Sequence, residues 1–328
     1  MNILALLLWV GAPQAPPLSP PGKMVDIGGW RLHLNCTGQA SPSQPTVILE
    51  AGAGSFSVDW SLVQHEASRF ARVCSYDRAG LGWSELGPHP RTMRQIVWEL
   101  HTLLNRSGIQ PPYVFVGHSY GGILSRLYSL TYPSDVRGMI LVDSGYERGV
   151  RVFQNGGLVR LVDTATGKTV PGVRTSNPLH QSDLSPAVVK QIETAARQMA
   201  PHAVESPYNK LPDEAQRMRT WSFAQIKHWA SNDNPYEAEE LSALLEIQKR
   251  EHPLGDIPLL LLTRGMTEEK GPQAKEVEEE HLNNQKALLN LSSNSKQIIA
   301  HHSDHEIMIY EPDVVLAAIR DVLVMLRR

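Results

Sequence analysis

Cysteine is scarce in this chain: Cys36 and Cys74 are the only two among 328 residues. Two thiols cannot build a disulfide scaffold or a four-thiolate zinc site, and neither a metal nor a cofactor is expected. A basic excess is missing as well. Lys and Arg total 31 against 34 Asp and Glu, a net charge of −3. Without surplus cations to release counterions from phosphates, a nucleic-acid partner is not expected. No apolar run reaches the roughly 18 residues of a membrane-spanning helix. No internal repeat is found either. What is present is the balance of a folded domain, 41% hydrophobic and 20% charged residues. The length alone suggests about two domains. Enzyme and binding protein both remain open at this point.

Residues 3–10 are apolar and a proline-rich stretch follows over 13–21. The run is too short to span a bilayer but matches the apolar core of a secretory signal. No Lys or Arg precedes it, and no clear small-x-small cleavage site follows. Export or membrane anchoring is favoured over a buried segment in a cytoplasmic protein. Residues 1–22 therefore read as an apolar segment with an extended linker, and the folded domain runs over 23–328.

Short alternating segments at 25–27 and 31–36 flank Gly28-Gly29, which reads as a hairpin. Apolar strands are expected at 46–50, 72–76, 113–116 and 136–142, with helical spacing at 92–104 and 123–132. Strands apolar on both faces and alternating with helices imply a mostly parallel α/β sheet. The rhythm breaks after Ser144. From 145 to 234 no clean strand is expected, only helical patches at 187–199 and 214–230. A helix at 237–249, a strand at 257–263, a helical stretch at 273–291, a strand at 297–300 and a closing helix at 314–326 complete the chain. Strands on both sides of the break look like members of one sheet. The middle segment thus reads as an insertion.

The strongest motif is Gly117-His118-Ser119-Tyr120-Gly121-Gly122, which follows a strand and opens a helix. A G-x-S-x-G in that context is a nucleophile elbow, with the glycines allowing a turn sharp enough to expose the serine hydroxyl. A serine needs a base, because its free hydroxyl hardly ionises at neutral pH. His305 lies in the loop between the last strand and the last helix, where it can reach back to Ser119. His301 and His302 read as strand-end residues, and the remaining histidines as surface or core. Nucleophile early and histidine last is the chain order Ser, acid, His.

Tyr76-Asp77-Arg78-Ala79-Gly80-Leu81-Gly82-Trp83-Ser84 resembles the D-R-x-G-x-G-x-S loop of the α/β-hydrolase superfamily. With Glu50-Ala51-Gly52-Ala53-Gly54 before it and the elbow after it, three motifs stand in family order, and the similarity runs over about 25–326. The resemblance implies an α/β-hydrolase fold, a mostly parallel doubly wound sheet of about eight strands with a helical cap inserted after the sixth. That places the cap at about 145–235 within a single domain.

The resemblance also implies a serine hydrolase, with a small or medium ester as the default substrate. The nucleophile is Ser119, the base His305, and the oxyanion donors the backbone N–H groups of Tyr120 and Ala53. Ala51 stands where the family has a histidine. The acid is left open between two positions. Asp143 ends the sixth strand, and Glu268 follows the seventh, where Gly265-Met266-Thr267-Glu268 resembles the family's G-x-x-D. A rigid strand end favours Asp143. Serine at the elbow argues against a dehalogenase or epoxide hydrolase. An acyltransferase or peptidase on the same triad, or a non-catalytic binding protein with this fold, are the rival readings. In the family's strand order the strands of Cys36 and Cys74 are neighbours, so a disulfide or two free thiols are open. Residues 221, 223 and 229 are aromatic at helical spacing, and such residues are more often packing than pocket.

Overall fold

A computed structural model describes residues 18–154, 157–173, 186–231, 234–267 and 274–327. The apolar run at 3–10, most of the proline stretch and Glu268 lie outside these residues.

Ten strands form. They are β1 (Lys23–Asp26), β2 (Arg31–Thr37), β3 (Thr46–Glu50), β4 (Val73–Tyr76), β5 (Tyr113–His118), β6 (Val136–Val142), β7 (Arg151–Gln154), β8 (Gly157–Arg160), β9 (Leu259–Arg264) and β10 (Ser295–Ala300). Eight of them make one sheet in the order β1-β2-β4-β3-β5-β6-β9-β10. β2 is antiparallel to both its neighbours, and the remaining pairs are parallel. Alternation explains why the central strands read as unbroken apolar runs. Ile48, Phe115, Leu141 and Leu261 point into one core, while Val47, Val114, Ile140 and Leu260 point into the other.

The helices are α1 (Ser61–Ala67), α2 (Met93–Arg106) and α3 (Tyr120–Thr131), followed by α4 (Pro186–Met199), α5 (Asp213–Phe223), α6 (Ile226–Ala230) and α7 (Glu237–Gln248) in the segment between β6 and β9, then α8 (Ala274–Ala287), α9 (Ile307–Tyr310) and α10 (Pro312–Met325). α2 shows how local chemistry fixes an element. Thr92 caps it by accepting from the Gln95 amide at 3.0 Å. Its buried stripe of Ile96, Val97, Leu100, Leu103 and Leu104 follows helical spacing.

The segment between β6 and β9 departs from the sequence expectation. It contains the antiparallel hairpin β7–β8, where no strand was expected. Four-residue strands are too short to raise a period-two signal. The single helix expected over 214–230 is two, α5 and α6, because the backbone of Gln225 turns extended. Polar anchors fasten this segment to the body. Arg219 of α5 is paired with the buried Asp59. Lys227 donates to the carbonyls of Gly82 and Ser84 at 2.7 and 2.8 Å. Glu240 of α7 accepts from the Met93 and Arg94 amides at 2.8 and 3.1 Å, and so caps α2 from outside.

Cys36 and Cys74 face each other directly in the β2–β4 ladder and form a disulfide, with their Cα atoms 4.0 Å apart. Of the two states left open, the bonded one is realised.

Candidate active site

Ser119 sits between β5 and α3 with φ 51° and ψ −120°, a backbone region costly for a side chain by about 1–3 kcal/mol. Three bonds hold it there. Its amide donates to Val142 O at 3.1 Å, and its carbonyl accepts from the Gly122 and Gly145 amides at 2.9 Å each. Close packing under the turn explains Gly117, where a Cβ would come within 2.6 Å of the Gly121 carbonyl oxygen.

Asp143 follows β6, buried and also at positive φ. Its carboxylate receives four donors. His305 Nδ1 donates to Oδ2 at 2.7 Å and His281 Nε2 to Oδ1 at 3.0 Å. The Arg264 amide and guanidinium add bonds of 3.2 and 3.3 Å. Burial alone would raise the pKa of Asp143. The bonds from His281 and His305 outweigh it and hold the carboxyl well below the usual range. An anionic Asp143 accepts, so Nδ1 of His305 carries the proton and Nε2 presents a lone pair.

His118, inside the elbow, ties the His305 loop to the end of β5. Its Nε2 donates to the backbone carbonyl of His305 at 2.9 Å. Burial, then the neighbouring His305, pulls its pKa down to about 3, so the ring stays neutral. Its Nδ1 faces the loop after β3, where a Cβ on Gly52 would approach it to 2.9 Å.

That loop is set by Arg78. The guanidinium pairs with Glu50 at 2.6 Å and donates to the carbonyls of Ala51, at 2.6 Å, and Gly52. In a trans peptide the N–H points opposite to the C=O. Gripping the Gly52 carbonyl therefore aims the Ala53 N–H away from Arg78. Asp77 braces the same region by accepting from the Ser57 and Trp83 amides at 2.9 and 3.0 Å and from His33 Nδ1 at 2.9 Å. The D-R loop is thus a frame for the site.

A cavity of about 400 Å³ brings these groups together: Ala53, Ser119, Tyr120, Asp143, His281 and His305 all line it. Every sequence-chosen site residue within the described chain reaches this cavity. Glu268 lies outside the described residues. None of Trp221, Phe223 and Trp229 lines it, and Trp221 packs on Trp83 with ring centroids 5.4 Å apart. His281 corrects the sequence reading, which placed every histidine besides His305 on the surface, in the core or at a strand end. Its helix, α8, carries no local motif, and only the fold brings it to Asp143. His118 had a signal, its place within G-x-S-x-G.

Residues 44–312 match the family model for the alpha/beta hydrolase fold. The chain belongs to the α/β-hydrolase family. Uncharacterized protein YqjL of Bacillus subtilis is 28% identical over 300 residues, which cover 92% of this chain and 91% of that one. An AB hydrolase superfamily protein of Gibberella zeae is 28% identical over 319 residues, 90% and 92% of the two chains. Among solved structures, a thermophilic esterase from Thermogutta terrifontis shares the fold with a TM-score of 0.59 at 18% identity, over 91% of this chain and 95% of its own. As an α/β-hydrolase, the chain is a hydrolase by family, with an eight-stranded, mostly parallel sheet.

Proposed function

We propose that the protein is a serine hydrolase that cleaves small or medium carboxylic esters through an acyl-enzyme on Ser119. The observation that carries this reading is the 2.7 Å bond from His305 Nδ1 to a buried, anionic Asp143, in a cavity shared with Ser119 at a strained elbow. His305 Nε2 takes the Ser119 proton as Oγ attacks the ester carbonyl. The oxyanion accepts from the N–H groups of Ala53 and Tyr120. His305 then passes the proton to the departing alcohol, and water, activated by the same nitrogen, releases the acid and restores Ser119. Asp143 serves as the acid that orients His305.

The segment between β6 and β9 acts as the cap, and Tyr146, Val150 and Glu237 bring it into the cavity wall. The Cys36–Cys74 bond supports an exported or membrane-anchored protein, since disulfides persist in oxidising compartments. Among the described residues no helix is long and apolar enough to cross a membrane.

A fluorophosphonate probe and a series of p-nitrophenyl esters test the reading together. The expected result is labelling and turnover in the wild type, with both lost in Ser119→Ala. Turnover that survives in Ser119→Ala overturns it.

A further inference from the structure

A second cavity of about 210 Å³ adjoins the first and shares Ala53, Tyr120 and Glu237 with it. The charged side chains around the two cavities have counter-charges within the protein, with one exception. Arg78 is paired with Glu50, Arg91 with Glu99 at 2.5 Å, Glu280 with Arg160, and Arg264 with Asp143 and Glu278 at 3.3 and 2.7 Å. Asp143 has its two imidazoles. Glu237, at the start of α7, has no side-chain hydrogen bond or ion pair among the described residues. Glu240, one turn on, is occupied by the Met93 and Arg94 amides and by Asn234 Nδ2 at 2.9 Å. It adds a second negative charge and no donor.

We propose that Glu237 selects for esters that carry a positive charge, by pairing with a substrate ammonium group at the junction of the two cavities. This rests on the hydrolase reading above and names its substrate class. A carboxylate half-buried in a cavity wall without a partner is poorly compensated, and a cation brought by the ligand supplies the missing partner. Burial, followed by repulsion from Glu240, pushes the Glu237 carboxyl up to about 7, the response of an acid whose charge is uncompensated. An ammonium group reverses that shift and is held in return. An anionic substrate meets repulsion at the same place, and a neutral one gains nothing from it.

Isosteric pairs test the proposal. p-Nitrophenyl esters with a trimethylammonio-ended acyl chain of increasing length are compared with tert-butyl-ended counterparts. Choline esters against 3,3-dimethylbutyl esters repeat the comparison on the alcohol side. In the wild type, kcat/KM for the cation exceeds that for its neutral isostere by about tenfold or more in one series, at the chain length that reaches Glu237. In Glu237→Gln that ratio falls to about one, since the paired charge is gone. A ratio near one in the wild type in both series, or one that survives Glu237→Gln, overturns the proposal. Fluorophosphonate labelling of Ser119 separates the two failures. With Ser119 labelled and the ratio flat, only the charge selection falls. With Ser119 unlabelled and no ester turned over, the hydrolase reading falls and takes the selection with it.

Discussion

Asp143 stands between two imidazoles, its Oδ2 2.7 Å from Nδ1 of His305 and its Oδ1 3.0 Å from Nε2 of His281. One ring belongs to the loop before α9 and faces the cavity of Ser119. The other comes from α8 and fixes the carboxylate from the opposite oxygen. A carboxylate held at both oxygens cannot rotate freely, so the plane of His305 is set by groups well beyond its own loop.

Removing the charge at Asp143 is the most direct check of the acid. Asp143→Asn is expected to lower kcat by about 10³–10⁴-fold, because an amide donates where Nδ1–H needs an acceptor. Glu268→Gln, measured on the same ester, is expected to stay within about threefold of the wild type, because Asp143 already fills the place of the acid beside His305. The opposite ranking of the two variants moves the acid to the loop after β9.

His281 is expected to act on position rather than on chemistry. His281→Ala lowers kcat by about ten- to a hundredfold with little change in KM, the scale of a small misplacement of the base. His281→Asn keeps a donor and recovers part of the loss. Equal losses in kcat for Ala and Asn argue against this role.

The disulfide closes a loop of 38 residues in sequence separation. In the chain-entropy model that stabilises the fold by about 3–4 kcal/mol. Urea unfolding of Cys36→Ser/Cys74→Ser is expected to show a loss of this size. Thiol titration of the denatured protein should find none without reductant and two after reduction. Two thiols before reduction refute the bond.

Glu237 gives stability a pH dependence. Its folded pKa of about 7 lies above the ordinary 4.5, so the native state holds this proton more tightly than the unfolded chain does. The associated stability is present in full below about 4.5 and is lost as pH rises through about 7. Glu237→Gln cannot ionise. Its Tm, measured beside the wild type, is expected to gain by roughly a few degrees between pH 5 and pH 8. A difference that stays constant over this range removes the titration from Glu237.

Much of this was readable along the chain, for a physical reason. A strand buried on both faces declares itself as an apolar run, as Val136–Val142 does, and the elbow at Ser119 needs its glycines within a few residues. The acid is different. Asp143 and Glu268 both follow strands, and which one meets His305 depends on the aim of loops far apart in sequence. His281 shows the same limit, since an amphipathic helix does not announce which polar residue faces a carboxylate 138 positions earlier. Arg78 lay in a motif that was recognised. Its work on the carbonyls of Ala51 and Gly52 became visible only as geometry. Glu237 is legible only by its lack of a partner, and sequence carries no record of that.

The bond between Cys36 and Cys74 also gives the chain the topology of a lariat. Its ring contains β3, the Ala51-Gly52-Ala53 turn and Asp59, whereas Ser119, Asp143, His281 and His305 all ride on the one long tail. A protease that nicks the ring leaves a single covalent molecule, and the two pieces part only on reduction. A cut between Ser119 and Asp143 severs the site for good. Proteolysis of the oxidised protein is therefore asymmetric: the part of the site that carries Ala53 is tethered to the rest, and the part that carries Ser119, Asp143 and His305 is not.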